Sequence, residues 1–163
     1  MSVAVLSIGA NLGDRLAALQ SVVDAVRPWL VAVSPVYRTA PWGPVPQDDY
    51  LNAIVIAADD AASPSEWLSR AHAAERAAGR TRETRWGPRT LDVDVVAVDD
   101  LHSDDPVLTL PHPRAAQRAF VLVPWLAAAP EAVLAGVPVA ELVEALPAGE
   151  RDGVRLQPGA VLV

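Results

Sequence analysis

Residues 91–98 read Leu91-Asp92-Val93-Asp94-Val95-Val96-Ala97-Val98. Valine-rich alternation followed by Asp99-Asp100 marks a β-strand, with Asp92 and Asp94 on one face and Leu91, Val93 and Val95 on the other. This segment decides the fold because it closes a series of elements that begins near the N-terminus. Val3 to Ile8 alternates and ends at Gly9, which reads as a first strand. From Asp14, an N-cap, the residues Leu16, Leu19, Val22, Val23 and Val26 recur at helical spacing up to Pro28. Val31 to Tyr37 has strand composition. Thr39 to Asp49 carries Pro41, Gly43, Pro44 and Pro46 and reads as a long, stiff loop. Tyr50 to Ala58 is the third strand, and Ser63-Pro64 opens a helix running to about Ala78. The order strand, helix, strand, strand, helix, strand predicts an α+β ferredoxin-like sandwich. Its βαββαβ core is a mainly antiparallel sheet with helices on one face. Beyond it, Ser103 to Pro113 reads as loop with a short extended piece. Arg114 to Val123 and Val139 to Leu146 read as helices separated by prolines, and Arg155 to Val163 as an edge strand.

The chain has 163 residues, 52% of them apolar and 20% charged. That size fits one domain over 1–163 that hides roughly 70% of its extended surface. No apolar run is long enough to cross a bilayer, and MSVAVLSIGANLGD lacks a basic n-region and a cleavage site, so the chain is expected in the cytoplasm. There is no cysteine, which excludes disulfides, thiolate nucleophiles and Cys-ligated metals. All 13 basic residues are arginine, which excludes a Walker lysine and a Schiff base. The net charge of −7 opposes general binding to nucleic acid or to an anionic membrane.

On one strand face, Asp92 and Asp94 lie about 7 Å apart at Cα. Mg²⁺ takes oxygen ligands, commonly one or two carboxylates, and completes its shell with water and phosphate oxygens. A bare D-x-D at a strand end is more often just solvated. Arg76, Arg80, Arg82, Arg85 and Arg89 nevertheless crowd into 14 residues beside it, in a chain that is acidic overall. Forked guanidiniums are what a metal-chelated polyphosphate needs for its remaining oxygens, although surface pairing is the plain alternative for Arg76 and Arg85. A second cluster joins Thr39, Trp42, Tyr50 and Asn52. An amide inside an apolar strand must find partners, and a heterocycle edge beside Tyr50 would supply them; an ordinary turn-facing asparagine is the alternative. His112 stands between Pro111 and Pro113. His72 and His102 read as surface positions, and no histidine pair has zinc spacing.

In order along residues 3 to about 130, Gly9-Ala10-Asn11-Leu12-Gly13, Tyr37 to Pro44, Asp49 to Ala53, Gly79 to Arg82, Arg85 to Asp94, and Pro111-His112-Pro113 with Arg118 and Phe120 closely resemble 6-hydroxymethyl-7,8-dihydropterin pyrophosphokinase of folate biosynthesis. The resemblance implies a monomeric enzyme that moves the pyrophosphoryl group of ATP to the pterin hydroxyl and releases AMP, with two Mg²⁺ ions. It implies Asp92 and Asp94 as metal ligands, Arg80 and Arg89 as catalytic groups on the triphosphate, and Arg82 assisting them. Glu75, Trp86, Thr109, His112 and Arg118 would line the nucleotide site. Thr39, Trp42, Tyr50, Asn52 and Phe120 would hold the pterin, its ring between Tyr50 and Phe120. His72 and Val107 depart from residues that relatives carry near the nucleotide. The competing readings are a magnesium-dependent phosphohydrolase and a non-catalytic ferredoxin-like binding module.

Overall fold

A computed structural model describes residues 2–41, 43–44, 46–79 and 90–163. Strand β1 (Val3–Ala10) runs two residues past the expected end and lies inside the sheet, paired on both sides. Helix α1 (Arg15–Val26) starts where expected, with the Asp14 carboxylate accepting from Ala17 N–H at 3.0 Å. A 3₁₀ turn at Arg27–Trp29 absorbs Pro28. The single strand expected over 31–37 is instead two, β2 (Leu30–Val33) and β3 (Tyr37–Thr39), both paired with β4 (Tyr50–Ala58). Pro35 has no N–H to contribute there. Ser34 fills the gap: its backbone N–H donates to the Ile54 carbonyl at 2.9 Å, and its hydroxyl accepts from Ile54 N–H at 2.9 Å.

Helix α2 (Pro64–Ala77) is capped by Ser63, with proline in its first turn. Strand β5 (Asp92–Val98) pairs with β1 and forms one edge of the sheet, whose order is β5-β1-β4-β3 followed by the short strand β8 (Arg155–Leu156). Strand β8, Arg155–Leu156, is much shorter than the 155–163 segment expected. The order is mixed α and β, and the pairings among β1, β2, β3, β4, β5 and β8 are antiparallel.

Alternation along the strands splits the core in two. Ala4, Leu6 and Ile8 of β1, Leu51, Ala53 and Val55 of β4, and Val93 and Val95 of β5 pack under α1 and α2, with Trp67 fully buried. Val5, Ile54, Ile56 and Val96 point the other way, onto α3 (Ala119–Ala128) and α4 (Val139–Ala145). Helices therefore cover both faces, not one. The expected helix from 114 to 123 is displaced: a 3₁₀ turn occupies Ala115–Gln117, and α3 runs straight through Pro124. Proline at that depth removes the N–H that would reach the Phe120 carbonyl. Burial of Leu122 and Trp125 against the sheet outweighs that loss. A small hairpin, β6 (Val133–Leu134) with β7 (Val137–Pro138), turns at Ala135 and Gly136, both at positive φ. Among the described residues no helix is long and apolar enough to cross a membrane.

Candidate active site

The site grows from one end of the sheet, on the face that α3 covers. Antiparallel register sets Gly9 of β1 opposite both Asn52 of β4 and Asp92 of β5, and Ser7 opposite Asp94. Directly paired residues share a face, so Tyr50, Asn52, Gly9, Asp92 and Asp94 project to the same side. Three adjacent strands thus bring the acidic pair and the amide together. The sequence alone places them 40 residues apart.

Asp92 and Asp94 are half-buried. Above them, Arg118 at the start of α3 feels both carboxylates. Burial lowers its pKa from the usual guanidinium value, while Asp94 and, more weakly, Asp92 oppose that shift. Burial likewise pushes His112 below the ordinary imidazole range; Asp94 pulls it up, and Arg118 and Arg114 push it further down. Neutral His112 is oriented by two contacts. Its backbone N–H donates to the Val96 carbonyl at 2.8 Å, and its ring Nδ1 accepts from the Arg114 backbone N–H at 3.2 Å. With Nδ1 accepting, the ring proton belongs on Nε2, which makes that edge a donor. The Arg118 guanidinium also lies 5.5 Å over the Phe120 ring, linking the charged half of the site to its aromatic half.

Asn52 is only 4% exposed. Its Nδ2 donates to Thr39 Oγ1 at 2.6 Å, and this bond fixes which way the amide points. Tyr50 and Phe120 are both half-buried on this side, one from the sheet and one from α3. The expected pterin set Thr39, Tyr50, Asn52 and Phe120 is therefore gathered at one sheet end. Trp42, Arg80, Arg82, Trp86 and Arg89 lie outside the described residues.

Two expected nucleotide residues carry structural bonds. Glu75 is 5% exposed, and its carboxylate accepts from Val93 N–H at 3.0 Å on the outer edge of β5. Thr109 donates to the Asp105 carbonyl at 3.0 Å. Glu75 and the His112 backbone together cover the β5 edge, which would otherwise offer unpaired groups to another chain. His72, His102 and Val107 are exposed.

Sequence reasoning missed two contributors. Asn11, 2% exposed, donates to Gln47 Oε1 at 2.5 Å and to the Asp48 carbonyl at 3.1 Å, tying the proline loop to the end of β1. Arg15 adds a bond to the Asp49 carbonyl at 2.9 Å. The signal was a polar residue directly after a buried strand. Arg114 is the other, visible in sequence as an arginine between His112 and Arg118.

An acidic pair, a cationic helix start and an aromatic-amide cluster thus share one face of an α+β sheet, the side-chain classes of an enzyme that handles phosphate. Residues 5–130 match the family described as 7,8-dihydro-6-hydroxymethylpterin-pyrophosphokinase (HPPK). The chain is 50% identical to the 2-amino-4-hydroxy-6-hydroxymethyldihydropteridine pyrophosphokinase of Mycobacterium tuberculosis over 169 residues, covering 96% of this chain and 90% of that one. It is 37% identical to the protein of the same name from Pseudomonas aeruginosa, over 95% of this chain and 96% of the other. Among solved structures, wild-type Plasmodium falciparum HPPK-DHPS superposes with a TM-score of 0.64 at 13% identity, over 86% of this chain. This chain spans 44% of that longer one. The chain belongs to the 7,8-dihydro-6-hydroxymethylpterin-pyrophosphokinase family.

Proposed function

We propose that the chain transfers the terminal pyrophosphoryl group of ATP to 6-hydroxymethyl-7,8-dihydropterin, giving AMP and the pterin diphosphate. The observation that carries this assignment to particular residues is the register about Gly9, which puts Asn52 and Asp92 on either side of one strand position. A phosphate-binding half and a ring-binding half then adjoin without any further movement of the sheet. The strand order, with β2 and β3 taken as one interrupted strand, supports a ferredoxin-like sandwich with a βαββαβ core.

The donor set fits a hard cation. Asp92 and Asp94 offer oxygen on one face, and among the described residues no third acid or histidine completes an all-protein cage. That suits Mg²⁺, which keeps places for water and phosphate oxygens. Asp92 and Asp94 would hold two such ions, which when bound neutralise phosphate charge and favour ionisation of the acceptor hydroxyl.

The protein's own groups then divide the work. Arg118 presents a forked donor to phosphate oxygens, and the Nε2–H of neutral His112 donates without adding a charge that would bind substrate and product alike. Arg80, Arg82 and Arg89 contact the triphosphate and its developing charge. Glu75, Trp86 and Thr109 border the nucleotide. Tyr50 and Phe120 sandwich the pterin ring, and Asn52, Thr39 and Trp42 fix its edge. So held, the pterin hydroxyl oxygen bonds to the β-phosphorus in line with the leaving group. The bond from that phosphorus to the α,β-bridging oxygen breaks, AMP departs with that oxygen, and the hydroxyl proton passes to solvent. Water as acceptor would leave the Asn52–Thr39 pair without a task, so hydrolysis is the weaker reading. The proposed particle is a cytoplasmic monomer of one domain, with no nucleic-acid or membrane partner.

The decisive experiment incubates the purified protein with ATP and Mg²⁺, with and without hydroxymethyl-dihydropterin, and separates nucleotides by chromatography. AMP should accumulate only with pterin present. Phosphate or pyrophosphate release at equal rates without pterin would instead identify a hydrolase.

A further inference from the structure

We infer that Gly9 is a positioning residue for the pterin, acting through Asn52; the inference rests on the reading of Asn52 as a pterin ligand. A Cβ built on Gly9 would lie 2.8 Å from Asn52 Oδ1 and 3.5 Å from Tyr50 Cδ1. The first distance is shorter than any real contact of that kind, and the second is ordinary packing. The absent side chain is therefore the seat of the Asn52 carbonyl oxygen, and the bare strand beneath it is part of the pocket floor. Strand interiors disfavour glycine, so its presence in the central strand calls for a close approach, and here the approaching group is a side-chain amide.

Two contacts then fix that amide. Thr39 Oγ1 takes the Nδ2 end at 2.6 Å, and the space over Gly9 receives the Oδ1 end. Among the described residues Thr39 is the only hydrogen-bond partner of the Asn52 side chain, although the residue is 96% buried, being 4% exposed. A carbonyl oxygen held in place and given no donor among the described residues is available to a donor on the ligand. Chemically, the group recognised is an N–H on the edge of a flat heterocycle stacked against Tyr50.

The effect of filling the space follows. The atom in the way is the far end of a side chain, not backbone, so the sheet survives and Asn52 moves. None of the three nearest atoms belongs to Asp92, although Gly9 is paired with it, so the metal side of the site is untouched. Gly9→Ala should raise KM for the pterin about tenfold, the loss of roughly one well-made hydrogen bond, and leave KM for ATP and the thermal midpoint in place.

The test measures pterin and ATP KM by AMP formation for the parent, Gly9→Ala, Asn52→Ala and the double variant. The expected result is a raised pterin KM in each single variant and no further rise, beyond about twofold, when Gly9→Ala is added to Asn52→Ala. If Asn52→Ala raises pterin KM and Gly9→Ala does not, the Gly9 role is overturned and the pocket reading stands. If Gly9→Ala acts equally in both backgrounds, or raises both KM values together, it acts through the strand and not through Asn52. A normal pterin KM in Asn52→Ala would overturn both.

Discussion

Asp94 faces Ser7 across β1 and is the strongest opposing charge on both His112 and Arg118. Removing it takes a proposed metal ligand and the larger of the acidic influences on two half-buried groups, His112 and Arg118. Asp94→Ala should cut turnover by at least about a hundredfold, several kcal/mol of lost transition-state stabilisation, with the far-ultraviolet circular dichroism spectrum retained. A turnover within a few-fold of the parent would remove Asp94 from the reaction. Glu75 presents a different kind of buried acid, since its bond goes to Val93 N–H at the sheet edge. Glu75→Gln keeps an acceptor there and should melt near the parent, whereas Glu75→Ala strands a buried donor and should cost about 1–3 kcal/mol by urea unfolding. Equal stability in the two variants would mean that the bond contributes nothing. The acids at 92 and 94 were readable from alternation because a strand shows its faces in its sequence. Glu75's partner and the seat above Gly9 were not, since both depend on which segments lie side by side, and single-strand patterns do not encode register between strands.

At the scale of elements, caps and periodicity gave accurate starts: Asp14 and Ser63 bond where their positions implied, and β4 begins and ends at the expected residues. Errors came where composition hid geometry. The β-rich run at 30–39 conceals the interruption at Ser34-Pro35, and α3 is apolar on every side, so no stripe shows its length and its proline looks like an end. One inter-element contact makes a pH prediction. Arg70 of α2 stacks 3.8 Å over Trp29 and 4.7 Å over Trp67, and bonds Asp59, at the end of β4, at 2.7 Å. That bond holds the Asp59 carboxyl below its ordinary value, against partial desolvation and with help from Ala61 N–H. A depressed acid contributes its stability fully above the unfolded pKa, about 3.9, and loses it as pH falls through the lower folded value. Asp59→Asn should therefore melt below the parent near neutrality, with the gap narrowing as pH falls below the unfolded carboxylate value. A gap that stays constant across that range would mean that the ion pair carries no pH-dependent stability.

The molecule as a whole is one sheet shared by two apolar layers, and the sharing is residue by residue. Val55 packs under α1 and α2, while its neighbours Ile54 and Ile56 pack under α3 and α4. Neither layer can lose its strands while the other keeps them, so the two should unfold together despite being separate clusters. The site sits where this matters, because Asp92 and Asn52 come from the strands and Arg118 and Phe120 from the helix laid over them. Leu19→Ala in α1 and Leu122→Ala in α3 each empty a fully buried position on opposite faces. Each should cost about 2–5 kcal/mol and move the same single calorimetric transition downward, with calorimetric and van't Hoff enthalpies equal. Binding of a non-hydrolysable ATP analogue with Mg²⁺ should raise that transition in both variants, since the proposed site joins strand residues to the start of α3 and both layers rest on those same strands. Two resolved transitions, with Leu19→Ala lowering one and Leu122→Ala the other, would show that the layers fold as separate units and that the 1–163 segment is not one cooperative domain.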